Sequence, residues 1–126
     1  MVERPSEAFP NVRRLRKRRE FLQAQRTGRR WASSHFVVYL KPNGGRPARL
    51  GITVSRKVGK ANMRNLLKRR VREVFRRGLA NFPAGVDVVV VAKSGVSVPG
   101  FSEIRDELSL AARRADRSTG EPGGRP

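Results

Sequence analysis

The pattern of apolar residues predicts an α+β fold: a single-domain two-layer sandwich, with helices packed on a small mixed sheet. Three observations carry this. Two short runs, 34–41 and 48–56, are rich in β-branched and aromatic residues, and the second alternates apolar with small or polar positions. A third run, 86–92, is nearly all apolar, as suits a strand covered on both faces. Around them, residues 18–27, 61–78 and 101–115 repeat apolar side chains at helical spacing. The order helix, strand, strand, helix, strand, helix belongs to an α+β domain.

In chain order, residues 1–12 hold two prolines and no periodicity, and read as a loose tail. Residues 13–19, Arg-Arg-Leu-Arg-Lys-Arg-Arg, place six charges in seven positions; they read either as a solvated charge run or, favoured because more basic clusters follow, as an RNA-contacting arm leading into the first helix. That helix, with Phe21 and Leu22 on its apolar side, stops at Gly28. The strand at 34–41 ends in the turn Pro42-Asn43-Gly44-Gly45, and the strand at 48–56 is expected to return as its hairpin partner. The long helix takes Asn62 as N-cap and Gly78 as its stop. The last helix buries Ile104, Leu108 and Ala111 or Ala112. The folded domain is assigned to 13–116, and the Gly- and Pro-rich segment 117–126 is expected to be disordered.

Composition narrows the function. The chain has 126 residues, with 29 Lys+Arg against 10 Asp+Glu and a formal net charge of +19. A compact body so charged repels itself, and a polyanion relieves that repulsion. There is no cysteine, and His35 is the one histidine, so thiolate metal sites and His-based triads are excluded. Asp106 and Glu107 are adjacent and diverge on a helix, and the other acids are scattered. Asp87, within the apolar strand, is expected to pair with a nearby Lys or Arg. No apolar run approaches the roughly 18 residues of a membrane span. The start of the chain lacks the apolar run of a signal peptide, so a cytoplasmic protein without membrane association is expected.

The long helix is the most informative segment. With Met63 at zero and about 100° per residue, Leu67, Val71, Val74 and Phe75 fall between about 20° and 120° and form the core face. Asn65, Lys68, Arg69, Arg72 and Arg76 fall between about 140° and 240° as one basic stripe, with Arg64 at its edge. Glu73 is the one acid between Lys60 and Arg77. Like charges at i and i+4, such as Lys68 with Arg72, destabilise a free helix by a few tenths of a kcal/mol each, so the stripe points to phosphate contacts. Arginine forks grip phosphate with paired hydrogen bonds, and Asn65 can both donate and accept at a base or ribose.

Residues 50–75 contain Gly59, Ala61, Arg64, Asn65, Lys68, Arg69 and Arg72 at a spacing that resembles the signature of the bacterial ribonuclease P protein family. The resemblance extends more loosely over about 15–115. It implies a ribosomal-protein-like sandwich with a left-handed strand–helix–strand crossover, against the usual hand. It implies no catalytic residue in the protein. A large catalytic RNA, with Mg²⁺ held mainly by that RNA and the substrate, removes the 5′ leader of precursor tRNA. The signature helix is implied to dock on the RNA through Lys60, Arg64, Asn65, Lys68, Arg69, Arg72 and Arg76. A cleft beside the first helix is implied to hold the leader, with Phe21, Phe36, Tyr39, Ser55, Arg56 and Lys57 as candidates. Phe36 and Tyr39 lie on opposite strand faces, so both cannot line one cleft, and Phe21 is the foremost candidate. Two positions depart from the family: Leu66 stands where a basic residue is usual, and Gln25 where an aromatic often stands.

The alternative is a structural ribosomal protein or general RNA chaperone, which matches the charge but not the spaced signature. A DNA-binding module is disfavoured because neither a helix-turn-helix pair nor a dimer seam is evident.

Overall fold

A computed structural model describes residues 14, 15 and 17–120, with side chains to residue 114. The tail expected over 1–12 lies outside the described residues, as do residues 121–126 of the C-terminal tail expected over 117–126. The elements are α1 (Arg18–Thr27), β1 (Arg29–Ala32), β2 (Phe36–Pro42), β3 (Arg49–Thr53), a 3-10 turn (Arg56–Val58), α2 (Ala61–Arg76), β4 (Val86–Ala92) and α3 (Phe101–Gly120). The last helix therefore runs past the boundary expected at 116.

The sheet order is β1-β2-β4-β3, with β1–β2 and β2–β4 antiparallel and β3–β4 parallel. This corrects the expected hairpin between the second and third strands. β4 sits between them, because Val86, Val88, Val89 and Val90 are buried on both faces and only a central slot covers both. The Asn43–Arg46 turn instead clasps the entry to β4: Asn43 N–H donates to Gly85 O at 2.9 Å, and Gly85 N–H to Arg46 O at 2.7 Å. The true hairpin joins β2 to β1, a strand absent from the sequence reading. Its Arg-Arg-Trp-Ala sequence is mostly exposed and shows no apolar alternation.

One sheet face, with Phe36, Val38, Leu40, Leu50, Val88 and Val90, packs against Leu67, Val71, Val74 and Phe75 of α2 and Ile104, Leu108 and Ala111 of α3. The helical projection of α2 thus places its core residues correctly. The expected cap does not form: Lys60 is the N-cap, and the Asn62 side chain accepts only from the Met63 N–H at 2.9 Å. The expected stop does. Gly78 adopts φ +70, and its N–H and that of Leu79 donate to Phe75 O and Val74 O, closing the helix end. On the other face, Ala24, Leu15 and Val89 form a smaller cluster with Phe21, Tyr39 and Val91, so α1 lies there.

Two polar ties fix the layers. Asp87, 6% exposed, receives Arg49 Nε at 3.0 Å and Nη2 at 2.7 Å, and the Asn43 amide at 3.0 Å. Arg49 also reaches Glu20 of α1 at 3.4 Å. The pairing expected for Asp87 is therefore made, and it anchors α1 to the sheet. At the opposite end, Glu107 of α3 accepts from the Ser33 hydroxyl, from His35 N–H at 3.0 Å and from His35 Nδ1–H at 2.5 Å. Burial raises the Glu107 carboxyl, but these hydrogen bonds outweigh it and hold the group below its ordinary value. Its contribution to stability is thus full above the unfolded value of about 4.3 and is lost as pH falls through the lower folded one. Glu107→Gln should lower the thermal midpoint at neutral pH, with a gap that closes on acidification. A pH-independent gap in thermal melts would show that the charge is immaterial.

Candidate nucleic-acid interface

α2 carries the basic stripe because its opposite side is committed to the core. Asn65 and Arg69 are exposed, and Lys68 and Arg72 are half-buried. Lys60 is exposed at the start of the helix, beside exposed Ser55, Arg56 and Lys57 of the turn that leads into it. Two members of the stripe have local duties. Arg64 Nε donates to Gly59 O at 3.1 Å and pins that turn. Arg76 forms a two-pronged pair with Glu73, Nη2 to Oε2 at 2.6 Å and Nε to Oε1 at 3.2 Å, which offsets its charge. The uncompensated part of the stripe is therefore Lys60, Lys68, Arg69 and Arg72.

Arg72 marks where the stripe meets the other face. Burial, and then the charge of Arg14, hold its guanidinium below its ordinary value. Arg14 and Arg72 line a pocket of about 180 Å³ together with Leu15, Phe21, Leu50 and Ile52. Leu15 N–H donates to Leu50 O at 2.9 Å, so Arg14 and Leu15 lie along the outer edge of β3. Two like charges beside an aromatic ring form a site whose repulsion an anion relieves.

Phe21 is half-buried in that pocket, and its ring occupies space at Gly51 that a side chain would otherwise fill. A Cβ on Gly51 would lie 2.7 Å from Phe21 Cζ and 3.1 Å from Leu15 Cβ. Tyr39 belongs to the same cluster and stands directly opposite Arg30 in the β1–β2 pairing. Phe36 does not. It is 1% exposed within the core on the far face, where its ring has no free surface for a base, so its assignment to the cleft is corrected to packing. The residues that sequence reasoning missed are Arg30, on the unpredicted β1, and Leu15. Leu15 sits in the basic arm, where one apolar residue among six charges carries no periodic signal.

Among the described residues, no three His, Cys, Asp or Glu side chains converge on a metal position. None of their helices is long and apolar enough to cross a membrane. A small α+β domain with a cationic helix face and an adjoining aromatic groove has the form of a nucleic-acid-binding protein.

The profile of the family described as Ribonuclease P matches residues 9–116. The ribonuclease P protein component of Citrifermentans bemidjiense is 43% identical over 109 residues, covering 86% of this chain and 93% of that protein. The Thermotoga maritima component is 46% identical over 115 residues, covering 88% and 98%. Among solved structures, the Thermotoga maritima RNase P protein superposes with a TM-score of 0.72 at 42% identity, over 80% of this chain and 96% of that one. The Staphylococcus aureus protein gives 0.71 at 31% identity, over 82% and 94%. The chain belongs to the ribonuclease P protein family, and its role is that of the accessory protein subunit of the tRNA-processing endoribonuclease.

Proposed function

We propose that the protein acts by docking α2 on the catalytic RNA of ribonuclease P and holding the 5′ leader of precursor tRNA in the groove beside α1. The observation that carries this reading is the junction at Arg72, where the cationic helix face and the Phe21 groove meet. One face can then engage a folded RNA while the adjoining groove tracks a single strand. Lys60, Lys68, Arg69 and Arg72 supply phosphate contacts, and each phosphate neutralised releases counterions. Phe21 and Tyr39 supply stacking surface, which tolerates any base and so suits leaders of varied sequence. Ser55, Arg56 and Lys57 belong to the turn that leads from β3 into α2.

Mg²⁺ is assigned to the catalytic RNA and the substrate, where it would supply the activation of water that hydrolysis of the leader bond needs. The face offered by this chain is cationic and repels a free divalent ion. Its contribution is to neutralise phosphates that otherwise repel one another and to fix the leader relative to the tRNA body. Membrane and DNA partners are not part of this reading, and it places the protein with its RNA in the cytoplasm.

Reconstitution tests it. At low Mg²⁺, the protein with bacterial catalytic RNA should release the leader from a precursor tRNA, where neither component alone does so. Binding of every RNA alike with no rescue of cleavage would favour a general RNA chaperone instead.

A further inference from the structure

The flank of α2 beside the basic stripe faces the first residue of α3 across a notch of about 190 Å³, lined by Leu66, Arg69, Arg70, Glu73 and Phe101. Its apolar surface comes from Leu66 and the half-buried Phe101 ring. The rim is cationic. Arg77 holds its guanidinium carbon 5.9 Å from the Phe101 ring centre, and Arg70 Nη1 donates to Pro99 O at 2.8 Å, which fixes that side chain beside the opening. Arg69 is exposed at the boundary with the stripe. Glu73, the one acid lining the notch, pairs with Arg76 at 2.6 Å and Arg77 at 3.7 Å, so it offsets one arginine charge and the rim keeps a net positive charge. The volume lies below the roughly 300–1,000 Å³ of sites that enclose whole small molecules, and is on the scale of a single planar ring.

An apolar notch ringed by arginines needs a ligand that is flat and apolar at its centre and anionic at its margins. An unstacked nucleobase between two phosphates has that shape and charge. A lipid tail or an acidic peptide has only one of the two properties. We infer that the Leu66–Phe101 notch binds one unpaired base of an RNA segment, with its flanking phosphates held by Arg69 and Arg77. This rests on the reading that α2 docks on the catalytic RNA, and it names what part of that RNA the flank receives. It also gives Leu66 a purpose: where the family resemblance expects a basic residue and a phosphate contact, this chain substitutes a base contact.

The test uses the full chain with Trp31→Phe and Phe101→Trp, which leaves one indole, in the notch. Its emission should be quenched by the catalytic RNA and by a short oligoadenylate, and not by an abasic ribose-phosphate chain of equal length. In parallel, Phe101→Leu should weaken binding of the catalytic RNA by roughly 5-fold or more, the range of one base–aromatic stack, while the salt dependence stays unchanged. Leu66→Ala serves the same purpose if Phe101→Leu lowers the thermal midpoint. Arg69→Ala is the control for docking itself. If it leaves the salt dependence intact, the docking reading falls. If it reduces that dependence, yet the indole responds equally to abasic chain or polyglutamate, or Phe101→Leu and Leu66→Ala bind like the parent, the base-binding inference alone is overturned.

Discussion

Asp87→Ala is expected to destabilise the protein by about 3 kcal/mol, the lower end for breaking a buried ion pair. The lower end applies because the Arg49 side chain retains 18% exposure and Glu20 stands 3.4 Å away as a second partner. Three donors lose their acceptor at once: Arg49 Nε and Nη2, and the Asn43 amide. The Asn43 amide nitrogen then keeps only its bond to Pro47 O at 3.1 Å. The damage should spread, since the same network ties α1 to the sheet and holds the Asn43–Arg46 turn over the entry to β4. Urea denaturation followed by circular dichroism measures it. A midpoint within experimental error of the parent would mean that water replaces the carboxylate at no cost, and that the pair does not hold these elements together.

Arg69→Ala and Arg72→Ala are each expected to weaken binding of the catalytic RNA by about 1–3 kcal/mol and to reduce the salt slope by about one phosphate contact. The two sites lie one turn apart, so the double variant should not be strictly additive. Arg72 separates binding from folding especially well. Its charge is opposed by Arg14 in a partly buried setting, so its removal relieves repulsion and should leave the thermal midpoint unchanged or higher. Filter binding across a salt series gives both numbers. An unchanged dissociation constant with an unchanged slope would remove α2 from the RNA interface.

The parts of the fold legible in the sequence are those where one side chain pattern has one physical solution. A helix with four apolar residues in a 100° arc must bury that arc, and Leu67, Val71, Val74 and Phe75 do. The valine run at 86–92 must be covered twice, and it is. What the pattern does not encode is which strand covers it. The turn at 42–45 suggested a hairpin because turn chemistry is local, whereas the insertion of β4 is decided by burial of residues some forty positions away. β1 escaped notice because three of its four residues are exposed and only Trp31 packs on the core, so no apolar alternation marks it. The interface followed the same division. Uncompensated charge on α2 was visible as spacing, and so was the aromatic at 21. That Arg76 answers Glu73, that Arg64 pins the turn at Gly59, and that Phe36 is lost to the core depend on distances between elements.

The central position of β4 also bears on the order in which the protein can be made. Synthesis delivers β1, β2 and β3 first, and β2 and β3, which never pair directly, are joined only when residues 86–92 emerge and fill the gap between them. Parallel pairing across the α2 crossover is a non-local event that folds late. Until then the nascent chain presents two unpaired strand edges, the condition under which chains associate with one another. The charge that suits the mature protein to RNA is already present in the emerging segment, in Arg29, Arg30, Arg46, Arg49, Arg56 and Lys57. Mutual repulsion between neighbouring nascent chains is expected to oppose association through those edges, before the protein has a partner to bind.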